Sequence, residues 1–262
     1  MPTEPRVLPV PQMLPELFTP RATSKIAFDN ALDCPHAGPE IQYRIGSREF
    51  SDQDVDHWEL RASRRALANL KSLLYGPPML DLIKAQCEQG DLYYKSLLVA
   101  SKGRWHECRT DMHVIGVSID DVMGARRRLL SMNDRDRVLG TLLPAHPEHY
   151  AKPVHEGHEG VIEVVGEHML SLRMVVTDDV PDFVLAYGDP EYPIKKPTVC
   201  KLQDGTIAYY ILHEFRDVEE GCKLRLRVIF PAAGSEVMFV EHAEHMAIEF
   251  RFGVKTIYAG FA

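Results

Sequence analysis

The chain has 262 residues, 45% of them hydrophobic, and a formal net charge of -8. That length and apolar content suit one globular domain, or one domain with a helical appendage. The acidic balance, with Lys and Arg scattered, argues against a nucleic-acid partner, which would need a clustered basic face. No apolar run approaches the ~20 residues of a membrane span. The N-terminus is proline-rich and lacks the charged-then-apolar pattern of a secretory signal, so a cytoplasmic protein is expected. Cys34, Cys87, Cys108, Cys200 and Cys222 lie far apart without CxxC spacing. They read as free thiols in a reducing compartment.

In chain order, residues 1–24 read as an extended arm, because its prolines block regular hydrogen bonding. Short extended pieces follow over 26–50. Ser51, Asp52, Gln53 and Asp54 supply capping side chains for a helix to about residue 75, stopped by Gly76-Pro77-Pro78. A shorter helix is expected over 79–88, ending at Gly90. Residues 92–101 and 105–117 read as strands around a Lys102-Gly103 turn. Ser118 caps a further helix that carries Arg126, Arg127 and Arg128 on a solvated face. A strand pair is expected over 160–176 around Gly166-Glu167, then a proline-containing loop over 178–196. Three more strands follow at 198–202, 206–215 and 222–230. The last segment, 236–258, reads as a helix interrupted by Gly253. The expected fold is α+β: a curved antiparallel sheet around a cavity, gripping a long C-terminal helix, with an N-terminal helical segment. The expected division is an arm and helical segment over 1–90 and an α+β domain over 91–262.

Histidine and glutamate concentrate in two distant stretches. One, 142–167, holds His146, His149, His155, His158 and Glu163; the other, 241–249, holds His242, His245 and Glu249. Imidazole nitrogen and carboxylate oxygen are ligand types that zinc and similar divalent ions accept. His245 and Glu249, four apart on a helix, share a face and suit joint coordination, while His242 and His245 offer a competing pair. His146 and His149 flank a Pro147 turn. Glu163 alternates with Val161 and Val165, so it either ligates a metal or lies on the outer face of the sheet. His213 is mid-strand and reads as a proton-transfer group or a buried, hydrogen-bonded histidine.

Four segments carry a resemblance to the 2,4-diacetylphloroglucinol hydrolase and phloretin hydrolase family. They are MHVIGVSIDDVM at 112–123, LLPAHPEHY at 142–150, ILHEFRDVEEGCKLRLRVIF at 211–230 and HMAIEF at 245–250. The resemblance spans a little over half the chain. It implies a helix-grip fold similar to that of the birch pollen allergen superfamily, and one zinc ion held by two His and two Glu. Carried over, the ligands fall on His149, Glu163, His245 and Glu249. The turn is one residue shorter than the family's, so His146 and His149 compete for the ligand role.

The implied reaction is hydrolysis of the carbon–carbon bond between a phenolic ring and an acyl group, in aromatic secondary metabolism. His146 or His213 would move the proton. Tyr209, Tyr210, Arg225 and Arg227 would contact the phenolate, the two arginines only if their face of the 223–228 strand looks inward. The expected partner is a small phenolic substrate, with a homodimer left open. Two other readings stand beside it: a cofactor-free cyclase, isomerase or lyase on a polyketide-derived phenol, and a non-catalytic carrier of aromatic ligands.

Overall fold

The computed structural model describes residues 41–124, 134–155 and 158–260. The arm, the pieces over 26–40 and the Arg126–Arg128 triplet lie outside them. The chain divides after Trp58 into two units.

The described part of the first unit begins with a hairpin, β1 (Tyr43–Ile45) and β2 (Arg48–Phe50), paired antiparallel. Helix α1 (Asp52–Leu73) starts at a reciprocal cap. Ser51 donates from N and Oγ to Asp54 Oδ2, both at 2.8 Å, and Asp54 N donates back to Ser51 Oγ at 3.3 Å. This satisfies amides that the first turn leaves open.

Helix α2 (Pro77–Ser101) corrects the expectation of a short helix followed by a strand. It runs through Gly90 and ends only at Lys102, which takes the left-handed conformation with φ 51°. Gly90 is a contact point: a Cβ there would sit 2.0 Å from the Met169 carbonyl oxygen. The missing side chain lets the helix lie against the sheet. Ile83, Gly90, Tyr94, Leu97 and Ser101 are buried at helical spacing. The aromatic and β-branched character of 92–101 therefore reflects core packing, not strand pairing. Residue 90, the expected domain boundary, falls inside this helix.

The sheet strands are β3 (Trp105–Ile115), β4 (His149–Ala151), β5 (Val154–His155), β6 (His158–Val165), β7 (His168–Val176), β8 (Ile194–Lys201), β9 (Ile207–Val218) and β10 (Gly221–Pro231). Their order is β3-β10-β9-β8-β7-β6-β4, with β5 on β6, and every pairing is antiparallel. Gly166, at φ 61°, makes the β6–β7 turn. Between β3 and β4 come a helical turn over 119–124, α3 (Asp134–Arg137) and a π-helical turn (Val138–Leu142). α4 (Asp182–Leu185) sits in the expected proline loop. The C-terminal helix α5 (Glu236–Gly260) passes through Gly253 without a break.

Both long helices cover the sheet's inner face. Leu224, Leu226, Val228 and Phe230 of β10 form one core with Tyr94 of α2 and with Met238 and Met246 of α5. Tyr210, Leu212 and Ile229 pack on the opposite face with Val184 of α4. This is the helix-grip arrangement, with side chains of both helices packed onto the sheet. No described helix is long and apolar enough to cross a membrane.

Candidate metal centre

The Leu face of β10 looks inward, and this corrects part of the expected site. Arg225 and Arg227 lie on the other face, with Tyr210. Arg225 donates from Nε to Asp111 at 2.6 Å and also pairs with Asp189. Arg227 is bound between Glu214, at 2.9 Å, and Glu107, and Glu214 is fully buried. These arginines neutralise carboxylates that would otherwise be costly to bury. Tyr210 stacks edge-on against Trp105 and Phe183. None of the three lines the histidine cluster.

The cluster is assembled from four elements. The 143–148 turn is held by Lys71 of α1. Its ammonium donates to the carbonyls of Leu143, His146 and Pro147 at 3.0, 3.2 and 2.8 Å. This turn delivers His149 to the start of β4, where it pairs in register with Glu163 of β6. Glu163 points inward with Val161 and Val165 and is 5% exposed. A residue of that type on that face needs a partner. Tyr209 of β9 donates to Glu163 Oε1 at 3.1 Å. α5 supplies His245 and Glu249 from successive turns.

Four ligand-capable groups converge. His149 Nε2 lies 3.1 Å from His245 Nε2, 3.3 Å from Glu163 Oε2 and 4.0 Å from Glu249 Oε1. His245 Nε2 lies 3.6 Å from Glu163 and 3.9 Å from Glu249. Ligand atoms around a tetrahedral zinc with bonds of about 2.0–2.1 Å stand about 3.3–3.4 Å from one another. To meet that spacing the 3.1 Å contact between His149 and His245 would widen slightly, and the contacts of 3.6, 3.9 and 4.0 Å would shorten.

Protonation makes the same point. His149 Nδ1 is 3.0 Å from the Leu142 carbonyl, which can only accept, so Nδ1 carries the hydrogen. In the neutral ring, Nε2 is then a bare lone pair. It faces a second imidazole nitrogen and a carboxylate oxygen. One proton on His245 Nε2 would relieve one of these contacts. A divalent cation would relieve all of them. A carbonyl on the far ring nitrogen is also the usual way a ligating histidine is oriented.

Burial and charge tune the neighbours. Burial, reinforced by His245 and His149, pushes the His146 pKa down to about 3. Burial brings His242 to about 4 and also lowers His245. Burial opposes ionisation of Glu163, but His149 and His245 outweigh it and hold the carboxyl well below the usual range. The cluster thus favours neutral imidazoles beside ionised carboxylates, the states that metal binding requires.

His146 lies one layer out. Its ring stacks on His245, with centroids 3.6 Å apart, and its Nδ1 accepts from the Glu148 amide at 3.1 Å. His146, Glu148 and His245 form a second ligand-capable trio, beside His149, His245 and Glu249. His242 also stacks on His245, at 5.1 Å, and meets Phe230 edge-on. His213 faces inward and packs edge-on against Phe250. His158 is exposed, and residues 156–157 lie outside the described residues.

A cavity of about 580 Å³ opens beside the cluster, between α1, α5 and the 139–147 segment, with His146 in its wall. Sequence reasoning missed this cavity and the part played by Lys71. A lone lysine on an amphipathic helix carries no sequence signal of what it will hold.

No family model and no curated protein matches the chain. Among the solved structures that are similar, two match over 59% of it. The crystal structure of Ara h 8.0201 matches over 99% of its own chain, at 12% identity and TM-score 0.37. An uncharacterized protein from Rhizobium leguminosarum matches over 95% of its chain, at 12% identity and TM-score 0.32.

Proposed function

We propose that this chain is a zinc-dependent hydrolase that cleaves the carbon–carbon bond between a phenolic ring and an acyl group. The observation that carries the metal is the convergence of His149, Glu163, His245 and Glu249, whose facing lone pairs a divalent cation would satisfy together. The reaction class rests on the sequence resemblance, which assigns the same four residues as ligands.

A zinc ion in this site would supply Lewis acidity and lower the pKa of a bound water to about 7. The chain's own groups do the rest. Leu142 fixes the His149 tautomer, and Tyr209 orients Glu163. His146 borders the cavity and is neutral at pH 7. Its Nδ1 is occupied by the Glu148 amide, so Nε2–H is the hydrogen it offers to substrate. We assign it proton delivery in preference to His213, whose ring is packed against Phe250. In the net reaction, water oxygen bonds to the acyl carbon, the ring–acyl bond breaks, and the ring carbon takes a proton. The products are the deacylated phenol and a carboxylic acid.

The test is metal content of tag-free protein by elemental mass spectrometry, beside a His245→Ala/Glu249→Ala variant, followed by assay on acyl-phenols. One zinc per chain, lost in the variant, with phenol and acid released in equal amounts, is expected. No zinc after reconstitution would overturn the proposal and leave a cofactor-free cyclase, isomerase or lyase, or a carrier.

A further inference from the structure

The cavity beside the cluster has walls of one charge. Arg64, Lys71, Arg251 and Lys255 line it, and no carboxylate among the described residues does. This is notable in a chain of net charge -8. The remaining walls are largely apolar, with Leu67 and Leu143 on one side and Ile248 and Phe252 on the other.

The cations are not placed for local stability. Arg251 and Lys255 are four apart on α5, where like charges repel. No carboxylate among the described residues pairs with Arg64, Arg251 or Lys255. Lys71 is 4% exposed, yet its hydrogen-bond acceptors are three neutral carbonyls. A buried ammonium without a counter-anion leaves part of its desolvation cost unrecovered. An anion entering the cavity would recover some of it, and would meet Arg64, Arg251 and Lys255, which have no carboxylate partner among the described residues.

We propose that this cavity binds an elongated, mostly apolar molecule ending in a carboxylate, with Arg64, Arg251 and Lys255 as the anion subsite. A volume of about 580 Å³ is within the range of small-molecule sites. The apolar chain lies between α1 and α5, and the wall that contains His146 brings its other end toward the cluster. This deepens the hydrolase reading, on which it rests for the identity of the reacting end. It specifies a substrate or product that carries a negative charge remote from the bond cleaved.

The test is isothermal titration of the full-length, zinc-loaded protein with decanoate and with decan-1-ol. Decanoate should bind about tenfold more tightly, the equivalent of one charge contact. Arg251→Gln/Lys255→Gln should remove that preference and leave the alcohol's affinity and the melting temperature unchanged. Equal affinities, binding of neither compound, or an unchanged preference in this variant would overturn the inference. The His245→Ala/Glu249→Ala variant separates the two readings. A carboxylate preference that survives in it belongs to the basic rim, whatever becomes of the metal. A preference lost there but kept in Arg251→Gln/Lys255→Gln would mean that the carboxylate binds the metal. That result would sink the anion subsite and leave the hydrolase reading standing.

Discussion

His149 Nε2 and His245 Nε2 face each other at 3.1 Å, although the residues are 96 positions apart. Two imidazole nitrogens are held nose to nose in a buried space that also contains Glu163. A zinc ion bound among these three groups, as proposed, would satisfy all of them at once. His149→Ala and His245→Ala should each abolish stoichiometric zinc binding. His146→Ala should retain the ion and lose turnover, because the His146 ring is stacked outside the four-atom cluster. Elemental analysis beside an activity assay checks both, and zinc lost only in His146→Ala would reverse the ligand assignment.

Tyr209 touches the four-ligand set through its hydroxyl, which donates to Glu163 Oε1. Tyr209→Phe keeps the ring and removes that hydrogen bond. Losing such an outer contact typically costs about 10- to 100-fold in metal affinity. Competition with a zinc chelator should show that loss with a native circular-dichroism spectrum. An unchanged zinc affinity would mean that the phenol merely fills space.

Lys71→Met replaces the ammonium by an apolar chain of similar length and removes its hydrogen bonds to three turn carbonyls, of which that of His146 still accepts from the His149 amide. The expected destabilisation is about 2 kcal/mol by urea unfolding, the scale of losing hydrogen bonds to a charged group. Zinc affinity should fall with it, since the same turn delivers His149. A variant as stable as the parent would show that the turn holds itself.

Acid should destabilise the zinc-free protein well above the ordinary carboxylate range. Burial lowers the folded-state pKa of His146 to about 3 and of His242 to about 4, against an ordinary value of 6.5. Between pH 6.5 and 4 the unfolded chain therefore binds more protons than the folded one, so stability falls as pH falls. Glu163, whose carboxyl is held low, contributes in the same direction: its stabilisation is present above about pH 4.5 and lost below. Melting temperature in the presence of chelator should be flat from pH 7 to 8 and decline from 6.5 downward. His242→Phe should make the decline shallower. A melting temperature that is level down to pH 5 would contradict these burial-driven shifts.

Much of this was legible locally. Alternation marked β6, β9 and β10, and the Ser51/Asp54 cap marked the start of α1. The four-residue spacing of His245 and Glu249 put both on one face of α5. Where local signals failed, a distant contact had decided. Gly90 reads as a helix stop, yet it is where α2 touches the Met169 carbonyl. Arg225 and Arg227 read as substrate contacts, yet their face of β10 carries Glu214, Glu107 and Asp111 instead.

By itself the sequence determined most of the long sheet strands, the start of α1, the C-terminal helix and the two stretches from which the ligand-capable groups come, because periodicity and capping depend on near neighbours. It also determined that Glu163 shares a face with Val161 and Val165, since strand side chains alternate. Only the tertiary structure decided which face of the sheet is inside, and therefore which of its charged residues meet the cluster. It alone placed His149 rather than His146 against Glu163, through the β4–β6 register and the turn that Lys71 holds. It also gathered Arg64, Arg251 and Lys255 around one cavity. These are relations between residues far apart in the chain, and no short-range pattern encodes them.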